Sequence, residues 1–456
     1  MSTPAATTPQ TASSEPKGWL ERLLSLFTDV RAGEGVRLLL LTVNVFLILT
    51  AYYVMKPTRE AFILDQQGGA EIKSYALAGQ ALLLAAIVPL YGSLASRLPR
   101  RRLINLVTVF FVACLPVFYL VAQAGMKIGV PFFLWIGIFS LMVIAQFWAY
   151  ANDIHTPEEG KRLFAVIAFG ASSGAVFGAW LSGRLIQAIG VRPLLLAAAA
   201  ILAASLVVFN YIDLRRRAAQ AAEPQRTRED VEIGTGNAFA LVLKSRYLLL
   251  VAGTIFLLNW CNSAGEYILS AIVKGTADAK VQAGTLAAAE TGRFIGGFFA
   301  DYFQVVNVAG MLLQLFVVSR VIKYLGVPVA ICVLPVVALG SYATAALIPS
   351  LAIVRWVKTA ENAVDYSLMN TVRHMLFLPT SREEKFKAKQ VIDSFVVRAG
   401  DVISAATVWL GTTVLAIGVS QFAWINVAVV LAWLAFAVAT GREFARRSAA
   451  QPERAE

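Results

Sequence analysis

Apolar residues run along this chain in blocks of about 20, the length a helix needs to cross a hydrocarbon core of roughly 30 Å. They recur at 36–55, 74–96, 103–124, 129–150, 163–187, 193–212, 247–272, 301–322, 327–347, 349–377, 388–415 and 421–440. The pattern predicts an all-α integral membrane protein with twelve transmembrane helices. A barrel would alternate apolar and polar at every second residue, and a run such as "LLLAAAAILAASLVVF" does not. The polar stretch 213–246 divides the blocks into six and six, the layout of a carrier built from two pseudo-symmetric halves. Matching traces support it: "TPEEGKR" follows the fourth block and "TSREEKFK" the tenth, while the second and eighth end in "ASR" and "VSR".

Composition agrees, with 58% hydrophobic residues, 15% charged and a mean hydropathy of +0.67. The net charge of +12 is clustered after even-numbered blocks, as in Arg97, Arg100, Arg101, Arg102 and in Lys161, Arg162. That bias puts both termini in the cytoplasm and accounts for the charge without nucleic acid. Cys114, Cys261 and Cys332 sit singly in apolar blocks, so neither a disulfide framework nor a metal site is indicated. Residues 1–17 read as a disordered cytoplasmic tail with neither signal-peptide nor transit-peptide character. Residues 18–30 read as an interfacial helix with Trp19, Leu20, Leu23, Leu24 and Phe27 on one face. The halves are then 36–212 and 247–440, joined by a cytoplasmic linker 213–246 and followed by a tail 441–456.

The tenth block, "LAIVRWVKTAENAVDYSLMNTVRHMLFLP", carries charges where lipid is expected. Stepping about 100° per residue from Arg355 puts Lys358 near 300°, Glu361 near 240°, Asn362 near 340°, Asp365 near 280°, Tyr366 near 20° and Arg373 near 0°. One face holds every charge. A charge at mid-bilayer costs on the order of 3 kcal/mol or more unless it meets a partner or water, so the stripe is expected to line a hydrated pathway. The other reading is that Arg355 and Lys358 reach the outer interface and Asp365 pairs structurally.

The first block ends in "AYYVMKPTREAFIL", where Pro57 is expected to kink or end the helix beside Lys56, Arg59 and Glu60. Two bases three residues apart suit a multiply charged anion, or mark the outer end of the span. Gln146, Asn152 and Asp153 close the fourth block, either as polar site groups or as helix caps. Gly170, Gly174 and Gly178 form a packing ridge in the fifth. Glu266 in the seventh is a candidate ion or proton site.

"GSLASRLPRRR", residues 92–102, resembles the loop between the second and third helices of the major facilitator transporters, with Ser96 where that superfamily carries an acid. A narrower resemblance is to the ATP/ADP translocases of intracellular bacteria and plastids. Their Leu-Arg-Asp-Thr-Lys-Asp block is matched by Met55, Lys56, Pro57, Thr58, Arg59 and Glu60. Their Phe-Trp-x-x-Ala-Asn block is matched by Phe147, Trp148, Ala151 and Asn152, followed by Glu159, Lys161 and Arg162. A Lys-rich block is matched by Phe377, Leu378, Pro379, Glu383, Lys385, Lys387, Lys389, Ile392 and Asp393. Where the family has Lys-Tyr-Ser-Leu, this chain has Asp365, Tyr366, Ser367 and Leu368, reversing one charge.

The resemblance implies a major facilitator-like, multi-pass protein of a bacterial inner membrane that moves an anionic solute by alternating access, as nucleotide exchangers do. Lys56, Arg59, Arg355, Lys358, Arg373 and Asn152 would meet the solute. Glu60, Glu266, Glu361 and Asp365 would balance charge or carry a coupling proton. Proton-coupled transport of another anionic metabolite, and a non-transporting sensor on the same fold, are the alternatives. No phosphate loop, His-Glu-x-x-His or Gly-x-Ser-x-Gly run occurs, so neither a pump nor an enzyme is expected, no cofactor is called for, and the chain is expected to be monomeric.

Overall fold

The computed structural model describes residues 18–25, 28–31, 33–220, 238–381 and 384–450, and these contain helices and no strand. The expected tail 1–17, Phe27 and half of the linker between 213 and 246, residues 221–237, lie outside them. A short helix α1 (Trp19–Leu24) precedes six long ones: α2 (Gly35–Leu64), α3 (Gly69–Arg97), α4 (Arg100–Gln123), α5 (Gly129–Asp153), α6 (Pro157–Ile189) and α7 (Leu194–Gln220). After α8 (Ala238–Lys244) come α9 (Arg246–Gln282), α10 (Thr291–Leu313), α11 (Ser319–Leu347), α12 (Leu351–Val364), α13 (Asn370–Met375), α14 (Lys389–Val391), α15 (Val397–Trp409) and α16 (Val419–Ala449).

Among the described residues nine helices are long and apolar enough to cross a membrane. This does not by itself establish the twelve expected from the sequence. The longest of the nine, Ala288–Leu347, contains Gly326 at φ 72°, ψ 169°, a backbone geometry open to glycine that breaks the helix direction between two expected spans. The other two expected spans, near 351–375 and 384–414, are helical but more polar.

Two apolar cores organise the bundle. One joins α2, α4, α5, α6 and α7 through residues such as Leu41, Phe111, Ile136 and Leu202. The other centres on α9, α10, α11 and α16, and also takes in Tyr53 and Leu64 of α2 and Ala179 of α6. The second core therefore crosses the boundary between the halves, where α10 lies on α2 and α6, and α3 lies on α9 and α15. Large apolar side chains of α3, α4 and α7, among them Leu82, Leu106, Phe110, Leu120 and Val207, point outward, as lipid-facing residues do.

Polar ties hold the end that carries α1. Arg162 pairs with Glu34 at 2.9 Å, and Arg37 pairs with Glu159 at 2.9 Å. The start of α6 is capped by Thr156, whose hydroxyl accepts from the Glu159 amide while Glu159 accepts from the Thr156 amide. Thr156, rather than Asn152 or Asp153, is thus the cap of α6. Although Ser96 lacks a charge, the arginines after α3 find acids: Arg100 meets Asp153 at 2.8 Å, and Arg101 lies 3.6 Å from the buried Asp213.

The glycine ridge of α6 sets its distance from α2. A Cβ on Gly174 would come within 2.4 Å of the Phe46 carbonyl oxygen, and one on Gly178 within 2.6 Å of the Thr50 carbonyl oxygen. Backbone atoms cannot yield as a flexible side chain would. Gly174→Val should therefore destabilise the protein by on the order of 1–3 kcal/mol through overpacking. Melting of the detergent-purified variant would show it, with Gly275→Ala, where a Cβ meets nothing within 4 Å, as the neutral control.

Candidate functional site

Pro57 does not end α2, which continues to Leu64. The chain stays helical through it, and the neighbouring Thr58 hydroxyl donates to the Val54 carbonyl at 2.9 Å. Lys56 and Glu60 are consequently buried inside the bundle rather than placed at the end of a span. Arg59 donates to the Glu60 carboxylate and packs its guanidinium over the Phe133 ring, 4.5 Å from the centroid.

Glu60 is also reached by Lys73 of α3, Nζ to Oε2 2.8 Å. The same ammonium lies 3.3 Å from Glu266 and donates to the Ser270 hydroxyl at 2.9 Å, both on α9. Lys73 therefore ties the first half to the second. Sequence reasoning missed it because it stands one residue before an expected span, where a lysine reads as an interfacial flank. The available signal was Gln80, seven residues on and so on the same helical face, which continues a polar stripe into the expected span.

In the second half, Glu266 accepts from the Asn362 amide at 3.4 Å, and Asn362 donates to Tyr302 at 2.7 Å. Lys358, 1% exposed, pairs with Glu361 at 2.8 Å and donates to the Tyr342 hydroxyl at 3.1 Å. Tyr342 donates in turn to the same Glu361 oxygen at 2.7 Å. Room for this triad comes from Gly265, where a Cβ would stand 2.0 Å from the Tyr342 hydroxyl and 2.7 Å from Lys358 Nζ.

Lys56 differs from these cations. Among the described residues it has no ion pair. Its ammonium stands 4.1 Å from the Phe303 ring centroid, 5.2 Å from Tyr53 and 5.6 Å from Tyr366, and donates to the Tyr366 hydroxyl at 3.4 Å. Tyr53 belongs to one half, Phe303 and Tyr366 to the other.

Lys56, Arg59, Glu60, Glu266, Lys358 and Glu361 are thus brought into one buried zone with Lys73, Tyr302, Tyr342 and Asn362. Arg373 is not: it pairs with Asp393 at 3.0 Å. The turn at Asp365–Met369 is π-helical, so it holds an extra residue and shifts the register that a constant 100° step assumes. Arg355 lies between Phe298 and Trp356, its guanidinium 5.9 and 5.4 Å from the ring centroids. Asn152 is exposed near the C-terminal end of α5, beside Asp153. Asp365 faces a separate small cavity with Glu361 and Asn262.

The Major Facilitator Superfamily model matches residues 41–377, most of the chain. The chain belongs to that superfamily. Among curated proteins it is similar to ADP,ATP carrier protein 1 of Chlamydia trachomatis, 22% identical over 360 residues, covering 69% of this chain and 65% of the relative. The Chlamydia muridarum protein of the same name is 24% identical over 354 residues, covering 69% and 64%. The match therefore spans just under two thirds of these relatives' length. Among solved structures, a bacterial homologue of the human lysosomal transporter Spinster, inward-facing and unoccupied, superposes with a TM-score of 0.57 at 15% identity over 90% of this chain and 98% of that one. The nucleoside transporter NupG gives a TM-score of 0.61 at 13% identity over 90% and 99%. This major facilitator protein is thereby a multi-pass membrane protein, and the cluster lies between its two halves.

Removing one member of a buried pair strands the other, which costs on the order of 3–5 kcal/mol, whereas removing both leaves no uncompensated charge. Lys358→Met should therefore lower the melting temperature of the purified protein more than Lys358→Met/Glu361→Gln does. An additive double variant would show that the two side chains do not interact.

Proposed function

We propose that this major facilitator protein is a secondary transporter that moves a multiply charged organic anion, a nucleotide such as ATP or ADP, by alternating access. The observation that carries the reading is Lys56: a buried ammonium at the boundary of the halves, surrounded by rings from both and without a carboxylate of its own. The zone holds four cations, Lys56, Arg59, Lys73 and Lys358, against three carboxylates, Glu60, Glu266 and Glu361, an excess of one positive charge. A bound anion supplies the missing charge, and the rings of Tyr53, Phe303 and Tyr366 offer flat faces to a planar base. Because the anion would touch both halves at once, its binding couples to their relative motion. The names of the chlamydial relatives favour nucleotides within this class.

On this reading the protein is not an enzyme, acts as a monomer in a bacterial inner membrane with both termini in the cytoplasm, and rests α1 in the inner interface. Exposure of Trp19 and Leu23 on α1 supports the last point. Arg59 and Lys358 join Lys56 in meeting the phosphates.

Proteoliposomes loaded with ADP should take up labelled ATP and return it chemically unchanged. Lys56→Ala should cut that counterflow by about two orders of magnitude, the loss expected for one desolvated charge contact worth about 3 kcal/mol, and Lys56→Arg should keep part of it. Full activity of Lys56→Ala would remove the site assignment; nucleotide binding without counterflow would favour a sensor.

A further inference from the structure

At the end that carries α1, the first half holds more positive charge than its acids answer. Arg100, Arg101 and Arg102 begin α4, and Arg215, Arg216 and Arg217 stand near the end of α7, which packs against it. Arg100 is paired with Asp153. Asp213, 0% exposed, is shared by three guanidiniums: Arg217 Nε at 2.8 Å, Arg216 at 3.1 Å and Arg101 Nε at 3.6 Å. Three guanidiniums against one carboxylate leave two positive charges. Arg216 turns inward over the Tyr150 ring, 5.8 Å from the centroid, and keeps the acid paired on that side. Arg101 and Arg217 direct Nε at the acid, so their terminal nitrogens remain as donors, on side chains 37% and 53% exposed.

The helices beneath these arginines are fixed to each other. Asn105 of α4 and Asn210 of α7 exchange amide hydrogen bonds, 3.0 Å each way, and Arg101 Nε donates to the Asn210 oxygen at 3.3 Å. The outer faces of the same helices are apolar: Leu106 and Phe110 on α4, Val207 and Leu214 on α7, all more than half exposed. Seven residues separate Val207 from Leu214 and three separate Leu214 from Arg217, so one helical stripe runs from lipid-facing side chains into a guanidinium with free donors. A water-borne anion would use the guanidiniums alone; an occupant that also covers the stripe is an amphiphile with an anionic head. The second half repeats the spacing, with Glu443 meeting Arg446 at 2.9 Å and Arg447 at 3.7 Å, but among the described residues no third guanidinium joins that acid.

We infer that the outer face of α4 and α7 binds an anionic phospholipid, its phosphate bridging Arg101 and Arg217 and its acyl chains lying along Leu106, Phe110, Val207 and Leu214. Guanidinium donors match phosphate oxygens in pairs, and a basic notch between membrane helices is a setting in which anionic headgroups are held. The phosphate takes one guanidinium from each helix and so supplements the asparagine bridge. Bound lipid therefore clamps the end of α4 to the end of α7 and stabilises the first half. The site is separate from the cluster between the halves and does not depend on what the protein carries.

Dioleoylphosphatidylglycerol titrated into the full chain in neutral detergent, with bound lipid counted by native mass spectrometry, should bind roughly tenfold more tightly than dioleoylphosphatidylcholine and raise the melting temperature. Arg101→Gln/Arg217→Gln should weaken phosphatidylglycerol binding roughly thirtyfold, about fivefold for each arginine. Arg216 still pairs with Asp213 in that variant, and its melting without lipid reports whether it folds. Should it not, Arg217→Gln alone should show the fivefold loss. Arg446→Gln, in the matching pair of the second half, should bind as the unaltered protein does. Equal affinity for the two lipids, or undiminished phosphatidylglycerol binding in the folded arginine variants, would overturn the site. Excess sodium pyrophosphate, against sodium chloride at matched ionic strength, separates a lipid from a soluble anion. Retained lipid supports the inference, whereas displacement by pyrophosphate would overturn the lipid and assign the arginines to a water-borne phosphate.

Discussion

A charge taken out of water must find a partner, and that requirement shapes the centre of this protein. Lys73 and Lys358 are buried, and each is answered by a carboxylate within 3 Å. A buried pair adds little net stability, because desolvation consumes most of the attraction, yet breaking one is costly. The pairs therefore act mainly as constraints on geometry. The Glu60–Lys73 pair specifies that α2 stands beside α3, whereas the Lys358–Glu361 pair lies within α12 and reaches α11 through the Tyr342 hydroxyl.

Lys73 extends that constraint across the boundary of the halves. Its bond to Glu60 stays within the first half, whereas its bonds to Glu266 and Ser270 cross to α9. Any rocking of the halves has to rearrange the second set and can spare the first. Lys56, held by rings and one hydroxyl instead of a carboxylate, is the cation that a solute can engage without first displacing an acid. On the proposed reading, paired and unpaired lysines divide between closure and recognition.

Small residues make these meetings possible. Gly174 and Gly178 let α6 lie against α2, and Gly265 leaves space for the Tyr342 hydroxyl and the Lys358 ammonium in the same turn. The positions are unlike in chemistry but alike in cause: a single methyl group would occupy volume that a backbone or a charged group already fills.

Membrane character, helical class and the two-half plan were written in the chain itself, because hydrocarbon thickness dictates block length and each block announces itself by composition alone. The charged stripe of the tenth block was legible too, since 3.6-residue periodicity places Lys358, Glu361 and Asn362 on one face before any neighbour is known. What periodicity could not carry was the extra residue in the π-helical turn at Asp365–Met369, which depends on packing and turns Arg373 toward Asp393. Nor could it show that α2 runs on through Pro57, or that Lys73 lies inside the bundle and not at its rim. Partners on separate helices, such as Lys73 with Glu266 or Lys56 with Tyr366, are chosen by how helices far apart in the chain come to rest against each other. Local patterns determine which residues share a face; only the assembled bundle decides what that face meets.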